Sequence, residues 1–291
     1  MQASKRRHWP GSTTTARRSR NSDSMGRGLA SRTLTWMPAS HPTEIEPDGA
    51  HLWLVRTADL ANSLHDVDPP GLLNRRERER AARMSDAAKR NLYVDGRAGL
   101  RLLIEAYTGC PARRIRFRYG SRGKPALLGD RGRLRFNYSV SSGYALYAFS
   151  MTRELGVDLE IHPRTANVRG LFRRILSPAE RMQFDALLPS QHNDAMLDCW
   201  TRKEAYGKLL GVGIRYNLSR TTLLENRHSD RWCSGVAGLF GDRTNGAMDE
   251  RVCGTQIGLP VPGSAALMYD MPDPVRGHPD LKAFRWPTET P

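Results

Sequence analysis

From His51 to Val55 the chain reads His-Leu-Trp-Leu-Val, a short apolar run of the kind that forms a strand. It follows a Pro-containing stretch from Pro38 to Pro47. Residues 73–90 are heavily charged, which predicts a helix with a solvated face and ion pairs at i to i+4. Apolar residues then return at near-helical spacing as Leu92, Leu100, Leu103, Ile104 and Tyr107. They predict a buried helix that carries Arg97 and Arg101 and stops at Thr108-Gly109, ahead of Pro111. Arg116-Phe117-Arg118-Tyr119 alternates as a strand does and runs into Gly120 and Gly123-Lys124-Pro125, a turn with Lys124 at its tip. Asn137 to Ser141 reads as a loop of small hydroxyl residues suited to phosphate, followed by a buried strand at Tyr144 to Ser150.

In the second half, Gly156-Val157-Asp158-Leu159-Glu160-Ile161 has a period of two. A strand here puts Asp158 and Glu160 on one face and Val157, Leu159 and Ile161 on the other. Ser177-Pro178-Ala179-Glu180 has the form of a helix start, with Ser177 as cap and Glu180 closing a capping box. A helix near 194–210 carries Trp200, Glu204 and Lys208 on one stripe, and Gly211 and Gly213 are placed to end it. Beyond Arg215 the pattern weakens, although Leu259 to Tyr269 suggests another strand. The Pro-rich residues from Pro272 onward read as a tail.

Composition narrows the class without choosing a function. A chain of 291 residues with 39% hydrophobic content can bury one large or two small cores. Of the formal charge of +15, +6 comes from the first 45 residues, with eight Lys or Arg against Asp23 and Glu44, and +9 belongs to the rest. Residues 1–45 are rich in Ser, Thr, Arg and Gly and predict a disordered extension. A basic surface draws polyanions or acidic partners, nucleic acid and nucleotide cofactors alike. Cys110, Cys199, Cys233 and Cys253 form no metal-site or disulfide spacing, which points to a reduced, cytoplasmic setting. No apolar run approaches the ~18 residues of a membrane span, and the start lacks the apolar core of a secretory signal.

The carboxylates carry the chemistry. Asp158 and Glu160 side by side on a strand repel each other unless a cation offsets them, and Lys203, Lys208 or a metal can do so. Three acids beside a lysine suit magnesium, which takes one or two protein carboxylates plus phosphate oxygens. Five elements recur in order: Gly123-Lys124-Pro125, Phe136-Asn137-Tyr138-Ser139, Gly156-Val157-Asp158-Leu159-Glu160, Leu176-Ser177-Pro178-Ala179-Glu180, and Trp200-Thr201-Arg202-Lys203-Glu204-Ala205-Tyr206-Gly207-Lys208. Over roughly residues 50–220 the chain resembles the 4′-phosphopantetheinyl transferases of the surfactin-synthetase type.

The resemblance implies an enzyme that moves phosphopantetheine from coenzyme A to a serine of an acidic acyl or peptidyl carrier protein and releases 3′,5′-ADP. It implies Mg²⁺ on Asp158, Glu160 and Glu204, with Glu204 or a metal-bound water as base and Lys208 on the diphosphate and leaving group. Lys124 and Ser139 would contact coenzyme A, with Arg80, Arg83 and Arg97 as further candidates. The implied fold is α+β, with two pseudo-twofold halves, each an antiparallel sheet packed with a long helix, at 46–153 and 154–271. A flexible tail at 272–291 and a monomeric state are expected with it. One position departs: Val140 stands where the family has histidine in its phosphate loop, which predicts weaker coenzyme A binding. Two other classes are weighed against this one, a basic nucleic-acid module and a magnesium-dependent phosphohydrolase. The acidic cluster argues against the first, so a nucleic-acid partner is not expected, and Trp200-x-x-Lys203-Glu204 has no use in the second.

Overall fold

A computed structural model of the chain describes residues 34–63, 68–129, 133–162, 175–212, 218–223, 232–234, 249–271 and 278–286. After β1 (Trp36–Pro38) comes β2 (Gly49–Arg56), which contains the strand read from His51 to Val55. Trp53 and Val55 enter one core, while Ala50, Leu52 and Leu54 enter another. Coverage on both sides is why this strand reads as a continuous apolar run. Short helices α1 (Thr57–Ser63), α2 (Pro69–Leu72) and α3 (Arg75–Ala82) lead to α4 (Ala87–Thr108). The charged stretch is therefore two helices, because Asp86 caps a new start by accepting from the Lys89 amide. The expected exposed pair is present between Arg75 and Glu79 at 2.7 Å. Helix α4 buries Ala98, Leu100, Leu103 and Ile104 and ends at Gly109, whose φ of 66° suits glycine.

Strands β3 (Phe117–Tyr119) and β4 (Pro125–Leu127) form a small hairpin around the Lys124 turn. Next come β5 (Arg135–Ser141), β6 (Tyr144–Ser150) and β7 (Leu155–Ile161). The loop expected at Asn137 to Ser141 is thus a strand: seven residues pair in register with β6. Alternation accounts for its mixed composition, since Phe136, Tyr138 and Val140 pack toward α4 while Asn137, Ser139 and Ser141 face the other way. Helix α5 (Pro178–Asp185) has the capping box expected from sequence, and α6 (His192–Leu210) follows it. Strands β8 (Trp232–Ser234), β9 (Asp249–Ile257), β10 (Gly263–Asp270) and β11 (Asp280–Arg285) complete the chain.

The strands form two main sheets, β1-β11-β2-β6-β5 and β7-β10-β9-β8. One apolar cluster lies between them, a second joins the first sheet to α4, and a third joins the second sheet to α6. The architecture is α+β, with one long helix on each half. Two expectations about the ends are corrected. Trp36–Pro38, inside the extension expected at 1–45, pairs in parallel with β11, and the Trp36 indole donates to Gly258 O at 2.7 Å. Asp280–Arg285, inside the tail expected at 272–291, pairs with β1 and β2 in parallel and buries Leu281, Ala283 and Phe284. The first sheet is accordingly mixed rather than antiparallel. Local pattern misses both strands because they gain hydrogen bonds only from partners far away in sequence. Residues 1–33, 272–277 and 287–291, with Gly213 and Arg215, lie outside the described residues.

Candidate active site

Gly156 opens the site. A Cβ there would stand 2.0 Å from Ala205 O and 2.4 Å from Leu209 N, so only glycine allows α6 to lie on β7. Val157, Leu159 and Ile161 fill the core between the sheets, which leaves Asp158 and Glu160 on the opposite face, as the period of two requires. At one end of the helix stripe the Trp200 indole donates to Glu160 Oε1 at 2.9 Å. At the other, Lys208 Nζ donates to Asp158 Oδ1 at 2.7 Å, Ser139 Oγ at 2.8 Å and Val157 O at 3.0 Å. Glu204, buried and one turn from each, lies between those two contacts on the same stripe.

Strands β5 and β7 are both sheet edges and run the same way, joined by side chains. Asn137 Oδ1 accepts from the Val157 amide at 3.0 Å, and Ser139 Oγ donates to Asp158 Oδ1 at 2.9 Å. Ser141 Oγ donates to Glu160 Oε2 at 3.3 Å and accepts from the Ile161 amide at 3.2 Å. Every second residue of β5 thus steadies the acidic strand and covers an edge that would otherwise expose unpaired backbone.

Of the two lysines, Lys208 is the one that meets Asp158. Lys203, equally open on sequence, turns to the far side, where its buried ammonium bonds Glu180 at 2.6 Å, Thr221 O at 2.8 Å and Ile175 O at 2.5 Å. The capping-box glutamate therefore also balances a buried lysine. Among the described residues no group of three or more His, Cys, Asp or Glu converges as a formed metal site. Asp158 Oδ2, however, is buried without a hydrogen-bond partner among them. A buried carboxylate oxygen in that position suits a small hard cation, so the donor set is compatible with magnesium.

On the other face of β5 lies a basic cavity of about 190 Å³. Arg76, Arg80, Arg83 and Arg97 line it against one acid, Glu77, with Tyr93, Tyr119 and Tyr138 as walls and Gly123 and Pro125 at its edge. Arg76 stacks over Tyr119 at 4.2 Å and Arg80 over Tyr93 at 5.2 Å, which orders two long side chains. Glu77 is almost fully buried and bonds both Arg97 and Arg101. Burial pushes the Tyr93 phenol up to about 12, so it lines the cavity as a neutral donor. Arg80 and Arg83 are brought together there, whereas sequence reading passed over Arg76, Glu77 and the tyrosines. Within Arg75-Arg76-Glu77-Arg78-Glu79-Arg80 nothing local separates a buried glutamate from exposed ones, although Glu77 three residues after Asn74 carries a capping-box signal. Val140 shares the Tyr138 face of β5 and packs on Gly96, where a Cβ would meet it at 2.6 Å.

The ammonium of Lys124 crosses to β7 and α6, where it donates to Glu154 and to the carbonyls of Leu155 and Leu209.

Comparison with known proteins agrees with this geometry. Residues 154–245 match the model of the 4′-phosphopantetheinyl transferase superfamily. The 4′-phosphopantetheinyl transferase HetI of Nostoc sp. is 34% identical over 183 residues, 62% of this chain and 76% of HetI. The 4′-phosphopantetheinyl transferase AcpT of Escherichia coli K12 is 34% identical over 143 residues, 49% of this chain and 65% of AcpT. The L-aminoadipate-semialdehyde dehydrogenase-phosphopantetheinyl transferase of Homo sapiens is 23% identical over 178 residues, 58% of this chain and 56% of the human protein. The chain belongs to the 4′-phosphopantetheinyl transferase superfamily.

Proposed function

We propose that the protein transfers the 4′-phosphopantetheine arm of coenzyme A to a serine of an acidic apo acyl or peptidyl carrier protein and releases 3′,5′-ADP. The observation that carries this reading is the acidic wall of Asp158, Glu160 and Glu204 with Lys208 and Ser139 built into it. The arginine cavity supports it, because four guanidiniums and aromatic walls suit a nucleotide that bears an extra phosphate. In this scheme Arg80 and Arg83, with Arg76 and Arg97, hold the nucleotide end of coenzyme A. Tyr138 lines that cavity while Ser139 faces the acids, so consecutive residues of one strand link the two ends of the cofactor.

Asp158, Glu160 and Glu204 would hold Mg²⁺, which when bound offsets diphosphate charge and polarises the phosphorus. Glu204 accepts the serine proton as the new O–P bond forms. The bridging oxygen leaves with 3′,5′-ADP, and Lys208 lies where that negative charge grows. For this Lys208 must exchange one of its present acceptors for a phosphate oxygen. A monomer in the cytoplasm fits the reading, with both halves on one chain and Cys110 and Cys199 buried and free. No described helix is long and apolar enough to cross a membrane.

Mixing the purified chain with coenzyme A, magnesium and several apo carrier proteins tests the proposal by mass spectrometry. The expected product is one carrier protein with a single phosphopantetheine arm. Glu204→Gln is expected to remove the product and leave the unfolding temperature in place. Hydrolysis of coenzyme A with no modified carrier would replace this reading with a phosphohydrolase.

A further inference from the structure

A lysine ammonium has three donors, and in Lys124 all three are directed into the second half. Nζ donates to Glu154 Oε2 at 3.0 Å, to Leu155 O at 3.2 Å and to Leu209 O at 2.9 Å. We propose that Lys124 is a positioning residue: a strut from the β3–β4 turn that fixes the end of α6, and with it Lys208, against the start of β7. The inference rests on the transferase reading given above.

Each end of the strut is built for this. Leu209 O belongs to the last turn of α6, where carbonyls lack intrahelical partners and a cation suits the helix dipole. Gly211, whose left-handed φ of 69° favours glycine, ends α6 beside the stem of Lys124. Glu154 is held from a second side by Arg135 at 3.2 Å. Lys208 precedes Leu209 in the chain, and Asp158 follows Leu155 by three residues on β7. One ammonium therefore sets the spacing of the two elements whose side chains meet in the Lys208–Asp158 pair at 2.7 Å.

The neighbours of Lys124 also reach the arginine cavity. Gly123 and Pro125 edge the arginine cavity, while the lysine between them leaves it with no donor to spare for a phosphate. Lys208 differs in kind, because two of its acceptors, Ser139 and Asp158, belong to the reacting wall itself.

Lys124→Met keeps an unbranched stem on Gly211 and removes the ammonium. With the full chain, coenzyme A, magnesium and a carrier protein that the wild type modifies, kcat is expected to fall about 10- to 100-fold. The KM for coenzyme A and the dissociation constant for 3′,5′-ADP stay within about threefold, the signature of lost alignment rather than lost binding. Glu154→Gln, which leaves both carbonyl acceptors, gives a smaller fall in kcat. A rise of about tenfold in the coenzyme A KM with kcat retained would make Lys124 a phosphate contact and overturn the proposal.

Acetylation of the wild-type chain decides the matter without a variant. Lys124 is expected to react far more slowly than Lys89, whose side chain is 80% exposed, with or without saturating 3′,5′-ADP. Free reaction of Lys124 that slows only on adding the nucleotide would sink the idea. Failure of the wild type to modify any carrier protein counts against the transferase reading alone, since the acetylation pattern still reports on the strut.

Discussion

Replacing Gly156 with alanine adds one methyl group at the point where β7 meets α6. The atoms it would strike, Ala205 O at 2.0 Å and Leu209 N at 2.4 Å, are backbone, so no side chain can swing aside. An ordinary contact needs about 3.5 Å between heavy atoms, so the helix must retreat by more than ~1 Å or the strand must bend. Overpacking of this kind costs about 1–3 kcal/mol, which lowers the unfolding midpoint without abolishing the fold. The functional loss is expected to be larger. The same helix carries Glu204 and Lys208 and the same strand carries Asp158 and Glu160, so the two sides of the site part by the full displacement. A misplacement of ~1 Å can cost about 100-fold in rate. Carrier-protein modification followed by mass spectrometry gives kcat, and urea unfolding gives the stability change. If Gly156→Ala keeps kcat within about threefold of wild type while the protein is folded, the claim that α6 and β7 must lie in direct contact is wrong.

Two further outcomes follow from particular side chains. Val140→His restores a phosphate donor on the cavity face of β5 and is expected to tighten coenzyme A binding by about 1.5–3 kcal/mol. Calorimetric titration of both proteins checks this, and no gain in affinity refutes the expectation that Val140 weakens binding. His51 is buried, and burial, reinforced by Lys282, pulls its imidazole down to about 4. Its Nδ1 lies 2.8 Å from Tyr107 Oη; with that oxygen accepting from the Trp53 indole at 2.9 Å, the phenol proton is free to be donated to Nδ1 of a neutral ring. The unfolded chain takes up this proton near pH 6.5 and the folded chain only near 4. The contribution is therefore full above pH 6.5 and fades as pH falls toward 4, by roughly 1.4 kcal/mol per unit. Denaturant midpoints measured across that window are expected to fall less steeply for His51→Asn than for wild type, and equal slopes would refute the assignment.

What sequence reveals here is what repeats locally. The face-splitting of Gly156 to Ile161, the cap at Ser177 and the glycine stop at Gly109 depend on residues within a few positions of each other, and all three hold in the structure. The stripe of Trp200, Glu204 and Lys208 is legible for the same reason, and the structure adds that its ends reach Glu160 and Asp158. Partners chosen across the fold leave no such trace. Nothing near Lys203 says that it seeks Glu180, and nothing near Lys124 says that it reaches Leu209. The small polar run at Asn137 to Ser141 looks like a loop because its hydrogen-bonding side chains address another strand rather than water. Arg76 and Glu77 are hidden by composition, since their surroundings repeat the same charged residues.

The sheet order has a further effect on how the protein is made. Because β11 pairs directly with β2, the first sheet cannot close around its middle strand until residues near 285 have left the ribosome. The earlier half must wait, with one side of β2 open, while the later half is synthesised. Cutting the gene between 153 and 154 would therefore yield an N-terminal fragment with a raw β2 edge, prone to pair with other chains. A peptide spanning Asp280–Arg285 is the natural plug for that edge.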